Sequence, residues 1–205
     1  YARQVYSGML PGWIAGHYTR EQCHIDLVRL ARYADCRFVR TACIGINPEA
    51  RLVFCASGGT LAYDLASVDT GTRSPAFDTA GALEHALPVK PVDRFVEAWE
   101  TICEQARRGA GPRRIAVVGG GAAGVEVLLS MQHRLQRTVP QSATQFELVC
   151  DGNGVLATHN PKVRERFRGV LARRGVGLRL GRAVTRVEQT RLRLEGGEVV
   201  DADLI

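Results

Sequence analysis

A chain of 205 residues, 45% hydrophobic and 23% charged, has apolar material for one large core or two small ones. Its net charge of +6 is thinly spread, aromatics make up only 6%, and no apolar run reaches the roughly 20 residues that span a bilayer. A nucleic-acid-binding protein and a membrane-spanning one are therefore both disfavoured. Six cysteines, at 23, 36, 43, 55, 103 and 150, show neither C-x-x-C nor zinc-ligand spacing. No metal site and no redox disulfide are expected, and the usage fits a reducing compartment.

In chain order, Tyr6-Ser7-Gly8-Met9-Leu10-Pro11-Gly12 opens as a loop of turn-formers and apolar side chains. It continues through Trp13, Gly16, His17 and Tyr18 without clear periodicity. Thr19-Arg20-Glu21-Gln22 has the capping-box form, which predicts a helix running to about Tyr33 and burying Ile25, Val28 and Ala31. His24 falls in its first turn and reads as a structural or surface histidine, with no second metal ligand at i+4. Strands are predicted over 37–44, 51–55 and 60–63, the last two as a hairpin around Ser57-Gly58-Gly59. A further strand over 65–68 ends in Asp69-Thr70-Gly71. The stretch 71–90, with Thr72, Ser74, Pro75, Gly81 and Pro88, reads as a connector. Residues 93–108 form a plain amphipathic helix with Phe95, Val96, Trp99, Ile102, Cys103 and Ala106 on one side, stopped by Gly109-Ala110-Gly111-Pro112.

The most informative stretch runs from Arg114 to Glu126. A β-branched run, Ile115-Ala116-Val117-Val118, stops at Gly119-Gly120-Gly121 and passes at once into Ala122-Ala123-Gly124-Val125-Glu126. That is a strand, a tight turn and a helix N-terminus, with Gly119, Gly121 and Gly124 on the G-x-G-x-x-G spacing. The first glycine makes the turn, the second lets backbone N–H groups approach a pyrophosphate, and the third packs helix against strand. The phosphates would sit on the free N–H groups at the positive end of the helix dipole. The helix offers Val125, Leu128, Leu129 and Leu135 as its core face. After a polar interruption with an extended helix or insertion around Pro140, a second strand over 146–150 ends on Asp151, placed to accept from a ribose diol.

Beyond it, Asn160 caps a helix with Pro161 at its first position and Val163, Phe167, Val170 and Leu171 facing inward, stopped by Gly175. Lys162, Arg164, Arg166, Arg168, Arg173 and Arg174 read as its solvated face, with attraction of anionic cofactors or headgroups as the second reading. Strands over 176–180, 184–187 and 191–194 follow, and a Gly196-Gly197 hairpin leads to a closing strand from Val199. The sequence stops inside an apolar run at Leu204-Ile205, as a fragment would.

On these residues the chain resembles the flavin-dependent pyridine nucleotide-disulfide oxidoreductase superfamily. Within it, the branch is like type II NADH dehydrogenases and sulfide:quinone reductases, and most like the NADH dehydrogenase-like group associated with selenophosphate synthetase. The resemblance is carried by Tyr6 to Gly12, Gly16-His17-Tyr18, His24-Ile25-Asp26-Leu27, Tyr63-Asp64-Leu65, Val89-Lys90-Pro91 and the turn from Gly119 to Glu126. It implies an α/β fold of nested FAD- and NAD(P)-binding, three-layer (ββα) Rossmann-like domains. Residues 1–75 would be part of the FAD-binding domain, 76–112 a connector and helix, and 113–205 an NAD(P)H-binding domain incomplete at its C-terminus. Asp69 and Gly71 would match the strand end that approaches FAD, Pro11 would pass near the flavin, and Glu126 would match a glutamate usual in the nicotinamide domain. The first FAD pyrophosphate turn would precede Tyr1, so the segment by itself is expected to be inactive.

The leading expectation is an FAD-dependent NAD(P)H oxidoreductase that passes a hydride from NADH to flavin, and electrons on to a quinone or another small acceptor. Its cofactor-binding residues would be Gly119, Gly120, Gly121, Ala122, Ala123, Gly124, Glu126 and Asp151, with Asp69, Gly71 and Pro11 toward FAD. No catalytic acid or base is named, because the cofactors carry the chemistry. Asp151 would repel a 2′-phosphate, which favours NADH, while Arg164 and Arg166 stand nearby in sequence. The alternative is a non-catalytic NAD-binding module attached to selenium metabolism. A methyltransferase is disfavoured by the hairpins before residue 71 and the Pro161 helix, and a thiol-based reductase by the cysteine spacing. The expected setting is cytoplasmic, with selenophosphate synthetase as a candidate partner and any peripheral membrane contact made by segments outside this chain.

Overall fold

The first regular element, β1 (Arg3–Val5), is followed by α1 (Leu10–Ile14), β2 (His24–Asp26), α2 (Leu27–Tyr33), β3 (Cys43–Asn47), β4 (Leu52–Cys55) and β5 (Thr60–Ala62). This computed structural model describes residues 2–71, 78–139 and 144–205. Thr72, Ser74 and Pro75 of the expected connector, and the insertion expected around Pro140, lie outside the described residues. The chain divides into two compact units. One comprises Tyr1–Tyr6 with His24–Thr72, the other Ser7–Cys23 with Arg73–Ile205.

In the first unit β1 and β2 pair antiparallel, Val5 opposite His24, and β3-β4-β5 form an antiparallel meander that includes the expected hairpin. The helix expected from Thr19 onward is corrected. Both capping-box bonds do form: the Thr19 N–H donates to Gln22 Oε1 at 2.8 Å and the Gln22 N–H to Thr19 Oγ1 at 3.4 Å. They close an isolated turn, because the next residues extend to pair with β1. Asp26 then supplies a second cap, its carboxylate accepting the Arg29 N–H at 3.0 Å, and the helix starts at Leu27. His24 is thus a strand residue, Ile25 is exposed, and Ala31 is the one buried residue of α2. The strand expected over 37–44 shrinks to β3, and that over 65–68 is not formed. Leu65 and Val68 have no partner strand among the described residues and are exposed.

The second unit adds α3 (Ala82–His85), α4 (Val92–Arg107), β6 (Arg114–Val118), α5 (Ala122–Thr138), β7 (Gln145–Cys150), α6 (Pro161–Arg173), β8 (Gly177–Leu180), β9 (Val184–Glu188), β10 (Arg191–Leu194) and β11 (Val199–Asp201). β6, β7 and β8 pair parallel in that order, and Leu204 bridges Ile115 on the free edge of β6. A parallel sheet needs cover on both faces. Side-chain alternation supplies it: Ile115, Phe146 and Leu148 point into a large cluster with α1, α4, α5 and α6, while Ala116 and Val149 point the other way. There the antiparallel meander β9–β10–β11 contributes Val187, Leu192, Leu194 and Val200. Meander, parallel sheet and helices make the three ββα layers. The buried Trp99 of α4 ties the helical layer together, its Nε1–H donating to the Ile14 carbonyl of α1 at 3.1 Å.

Asp203 fastens the strand edge where β6 begins. Its carboxylate accepts the backbone N–H groups of Arg113 and Arg114, both at 2.9 Å, and lies 3.5 Å from the Arg114 guanidinium. Burial pushes its pKa up, but the two N–H groups and Arg114 together outweigh that and hold it below the ordinary carboxylate value. A carboxyl depressed in the folded state adds stability above its unfolded pKa and loses it as pH falls through the folded one. Urea midpoints of the parent protein and Asp203→Asn should therefore differ at neutral pH and converge as pH falls below the ordinary carboxylate value of about 4 and through the lowered folded-state pKa. A gap independent of pH would show that the carboxylate charge is not what holds this edge.

Candidate dinucleotide site

Where β6 ends, three features convert a strand into an open helix terminus. Gly119 takes φ +121 to make the turn, and its N–H donates to the Val149 carbonyl of β7 at 2.8 Å. Gly121 is extended as the N-cap of α5, and no side chain caps the helix. The N–H groups of the first helical turn at Ala122, Ala123 and Gly124 therefore have no intrahelical partner to satisfy them. Nothing stands within 4 Å of where a Gly121 Cβ would lie, so the approach to those groups is clear. At Gly124 a Cβ would overlap the Gly119 carbonyl oxygen, so helix and turn touch backbone to backbone. Gly119 thus makes the turn and Gly124 packs helix against it, while Gly121 leaves open space.

Asp151 follows β7 directly and is exposed, beside β6 in the parallel sheet, so the acid and the glycine turn leave the same sheet end. Glu126 is exposed in the second turn of α5. The turn, Glu126 and Asp151 are therefore brought together by one strand pair and one helix. Pro11 is not. It lies at the start of α1, whose end meets α5 at Arg134, ten residues and roughly 15 Å of helical rise from Gly124. Asp69 and Gly71 belong to the other unit, where Asp69 is exposed and Gly71 takes φ +75.

Sequence reasoning missed what braces the turn from behind. The Cys150 side chain packs under Gly120, where a Cβ would come within 2.7 Å of its Sγ, and burial pushes the Cys150 thiol pKa up. The loop after Asp151 folds back on the turn: Val155 and Leu156 are buried, and the Leu156 N–H donates to the Gly120 carbonyl at 2.7 Å. Leu156 holds φ +56 to do so, an uncommon conformation for a branched side chain. The one sequence signal for this brace was the pair of apolar residues, Val155-Leu156, inside an otherwise polar loop. The same loop sits against the basic helix α6, with an Arg164 guanidinium nitrogen 3.2 Å from where a Gly154 Cβ would lie and one from Arg168 at 4.0 Å. Arg164 is thus near the loop that Asp151 begins. Asn160 caps α6 as expected, its side chain accepting the Val163 N–H at 3.0 Å. Among the described residues no cluster of three or more His, Cys, Asp or Glu is arranged for a metal, and no helix is long and apolar enough to cross a membrane.

Three comparisons bear on this arrangement. Ferroptosis suppressor protein 1 of Xenopus laevis is 26% identical over 173 residues, which cover 79% of this chain and 42% of that protein. The external alternative NAD(P)H-ubiquinone oxidoreductase B1 of Solanum tuberosum, a mitochondrial protein, is 25% identical over 182 residues, covering 76% and 32%. A structure of NDH2 from Plasmodium falciparum in complex with NADH superposes with a TM-score of 0.84 at 15% identity, over 100% of this chain and 47% of that one. The chain thus spans less than half the length of each of these relatives. Residues 17–205 match the family model of pyridine nucleotide-disulphide oxidoreductases, and the chain belongs to that family.

Proposed function

We propose that this chain is the nucleotide-binding part of an FAD-dependent NAD(P)H oxidoreductase, that it takes NADH in preference to NADPH, and that a quinone is the electron acceptor. The observation that carries the proposal is the uncapped N-terminus of α5, reached over the open Gly121 and flanked by Asp151. A Cβ-free approach and unpaired N–H groups fit a pyrophosphate. The first turn of α5, Ala122 to Gly124, would hold its oxygens, and the brace from Cys150 and Leu156 would keep the turn from shifting as the charge arrives. Asp151 would accept from the ribose hydroxyls and set its negative charge against a 2′-phosphate. Glu126 would stand one turn deeper along the same helix. When bound, the flavin supplies the hydride acceptor and passes electrons onward. The assignments of Asp69, Gly71 and Pro11 to the flavin side, of a selenophosphate synthetase partner and of a peripheral membrane contact rest on the sequence resemblance. The quinone rests on the name of the Solanum tuberosum relative.

The decisive experiment is the visible spectrum of the full-length protein before and after anaerobic NADH. A flavin spectrum bleached by NADH supports the proposal; a colourless protein that binds NADH would overturn the flavin and leave a nucleotide-binding module. Two glycine variants separate space from fold. In a helix, Gly→Ala ordinarily adds about 1 kcal/mol of stability, but at Gly124 the Cβ would meet backbone, so Gly124→Ala should lower Tm. Gly121→Ala meets nothing and has an ordinary φ of −76, so it should keep its Tm and lose NADH affinity. For the acid, Asp151→Ala should weaken NADH about tenfold or more, the worth of a hydrogen bond to a charged group. It should change NADPH binding little; equal loss of both would remove Asp151 from coenzyme selection.

A further inference from the structure

The far end of α5 borders a second polar site, a cleft open to solvent. A cavity of about 250 Å³ is lined there by Ala15, Gly16, Arg107, Arg134, Arg137 and Thr138. Three guanidinium groups meet one hydroxyl, and among the described residues no carboxylate lines the wall. The arrangement is built rather than incidental. Gly16 holds φ +81, and a Cβ there would overlap the Arg134 guanidinium, so the backbone of the α1 end makes room for that group. Arg134 also reaches the buried thiol of Cys103 on α4. The charges are only partly answered. Arg107 pairs with Glu104 at 2.7 Å, whereas neither Arg134 nor Arg137 has an ion-pair partner among the described residues.

A histidine pair stands next in sequence to Arg134 and Gly16. His133, next to Arg134 on α5, sets its ring centroid 5.3 Å from that of His17 at a tilt of 45°, and its Nε2 is buried without a hydrogen-bond partner among the described residues. Burial foremost, then His17, Arg137 and Arg174, hold the His133 pKa below its ordinary value. Basic groups at a helix C-terminus are commonly explained by the macrodipole, and Arg107 and Arg137 do end α4 and α5. Each helix end supplies only about half a negative charge, which with Glu104 leaves the cavity positive.

We propose that this cavity binds a phosphate group, as a second anion site separate from the glycine turn. Bidentate guanidinium forks from Arg134 and Arg137, with the Thr138 hydroxyl, match the tetrahedral oxygens of phosphate. The volume is below the roughly 300–1,000 Å³ of drug-sized ligand sites, which suits a small anion. Because α5 runs from the glycine turn to this cavity, an anion here would lock the helix whose other end carries the pyrophosphate cradle.

Titration calorimetry of the full-length protein with inorganic phosphate, at ionic strength held constant with sodium chloride, tests the proposal. One saturable site is expected, weakened about tenfold or more by Arg137→Gln and lost in Arg134→Gln/Arg137→Gln. Arg137 is exposed, so its single variant reads out even where the double variant fails to fold. Gly121→Ala and Arg173→Gln should leave phosphate binding intact. Three results would overturn the proposal: no binding above the chloride control, binding unchanged by Arg137→Gln, or binding removed by Gly121→Ala, which would place the phosphate on the glycine turn instead.

Discussion

The architecture of the second unit depends on a single backbone contact, the approach of Gly124 in α5 to the Gly119 carbonyl at the end of β6. A glycine inside a helix costs about 1 kcal/mol relative to alanine. Here that cost is offset because any Cβ would force helix and turn apart. The same closeness aims the first N–H groups of α5 across the turn rather than into the core. Stability and ligand access thus pull in the same direction at Gly124 and are independent at Gly121, where the space is empty.

That contact holds because the rest of the unit leaves α5 no freedom. Val125, Leu128, Met131 and Leu135 bury one face of it against the parallel sheet, and Trp99 bonds α4 to α1 on the same side. On the opposite face Ala116 and Val149 meet the β9–β11 meander. A small residue at 116 and a branched one at 149 are what a sheet covered on both faces allows. The Cys150–Gly120 packing and the Leu156 N–H bond then brace the turn at Gly120, next to the open Gly121. The strained φ of Leu156 is held in place by burial of its own side chain.

Elements with a strong local period were legible in the sequence. The helix from Val92 to Arg107 has its expected apolar face, and β6, the glycine turn and the Asn160 cap stand within a residue or two of their expected places. The errors lie where two local signals compete. The bonds of the Thr19–Gln22 capping box form, yet the helix begins only at Leu27, because pairing with β1 pulls His24 to Asp26 into a strand. No property of residues 19–22 reports the presence of Arg3–Val5. Leu65 to Val68 has strand composition and lacks a partner strand among the described residues. In the site, the three glycines were readable because each does something local. The brace behind them was not, since it joins Gly120 to residues thirty or more positions away.

α5 therefore carries opposite electrostatic tasks at its two ends. Its N-terminus lacks a cap and any acidic residue in the first turn, so its partial positive charge is unopposed. Its C-terminus gathers Arg134 and Arg137 in excess of the partial negative charge there. A helix stabilised purely by its own dipole would carry acid at one end and balance its bases at the other. This one leaves both ends positive. The two proposed anion sites would answer that charge at both ends. The seventeen-residue helix, packed along one face, would join the two proposed sites by one rigid axis, with Arg134 and Gly124 near its opposite ends.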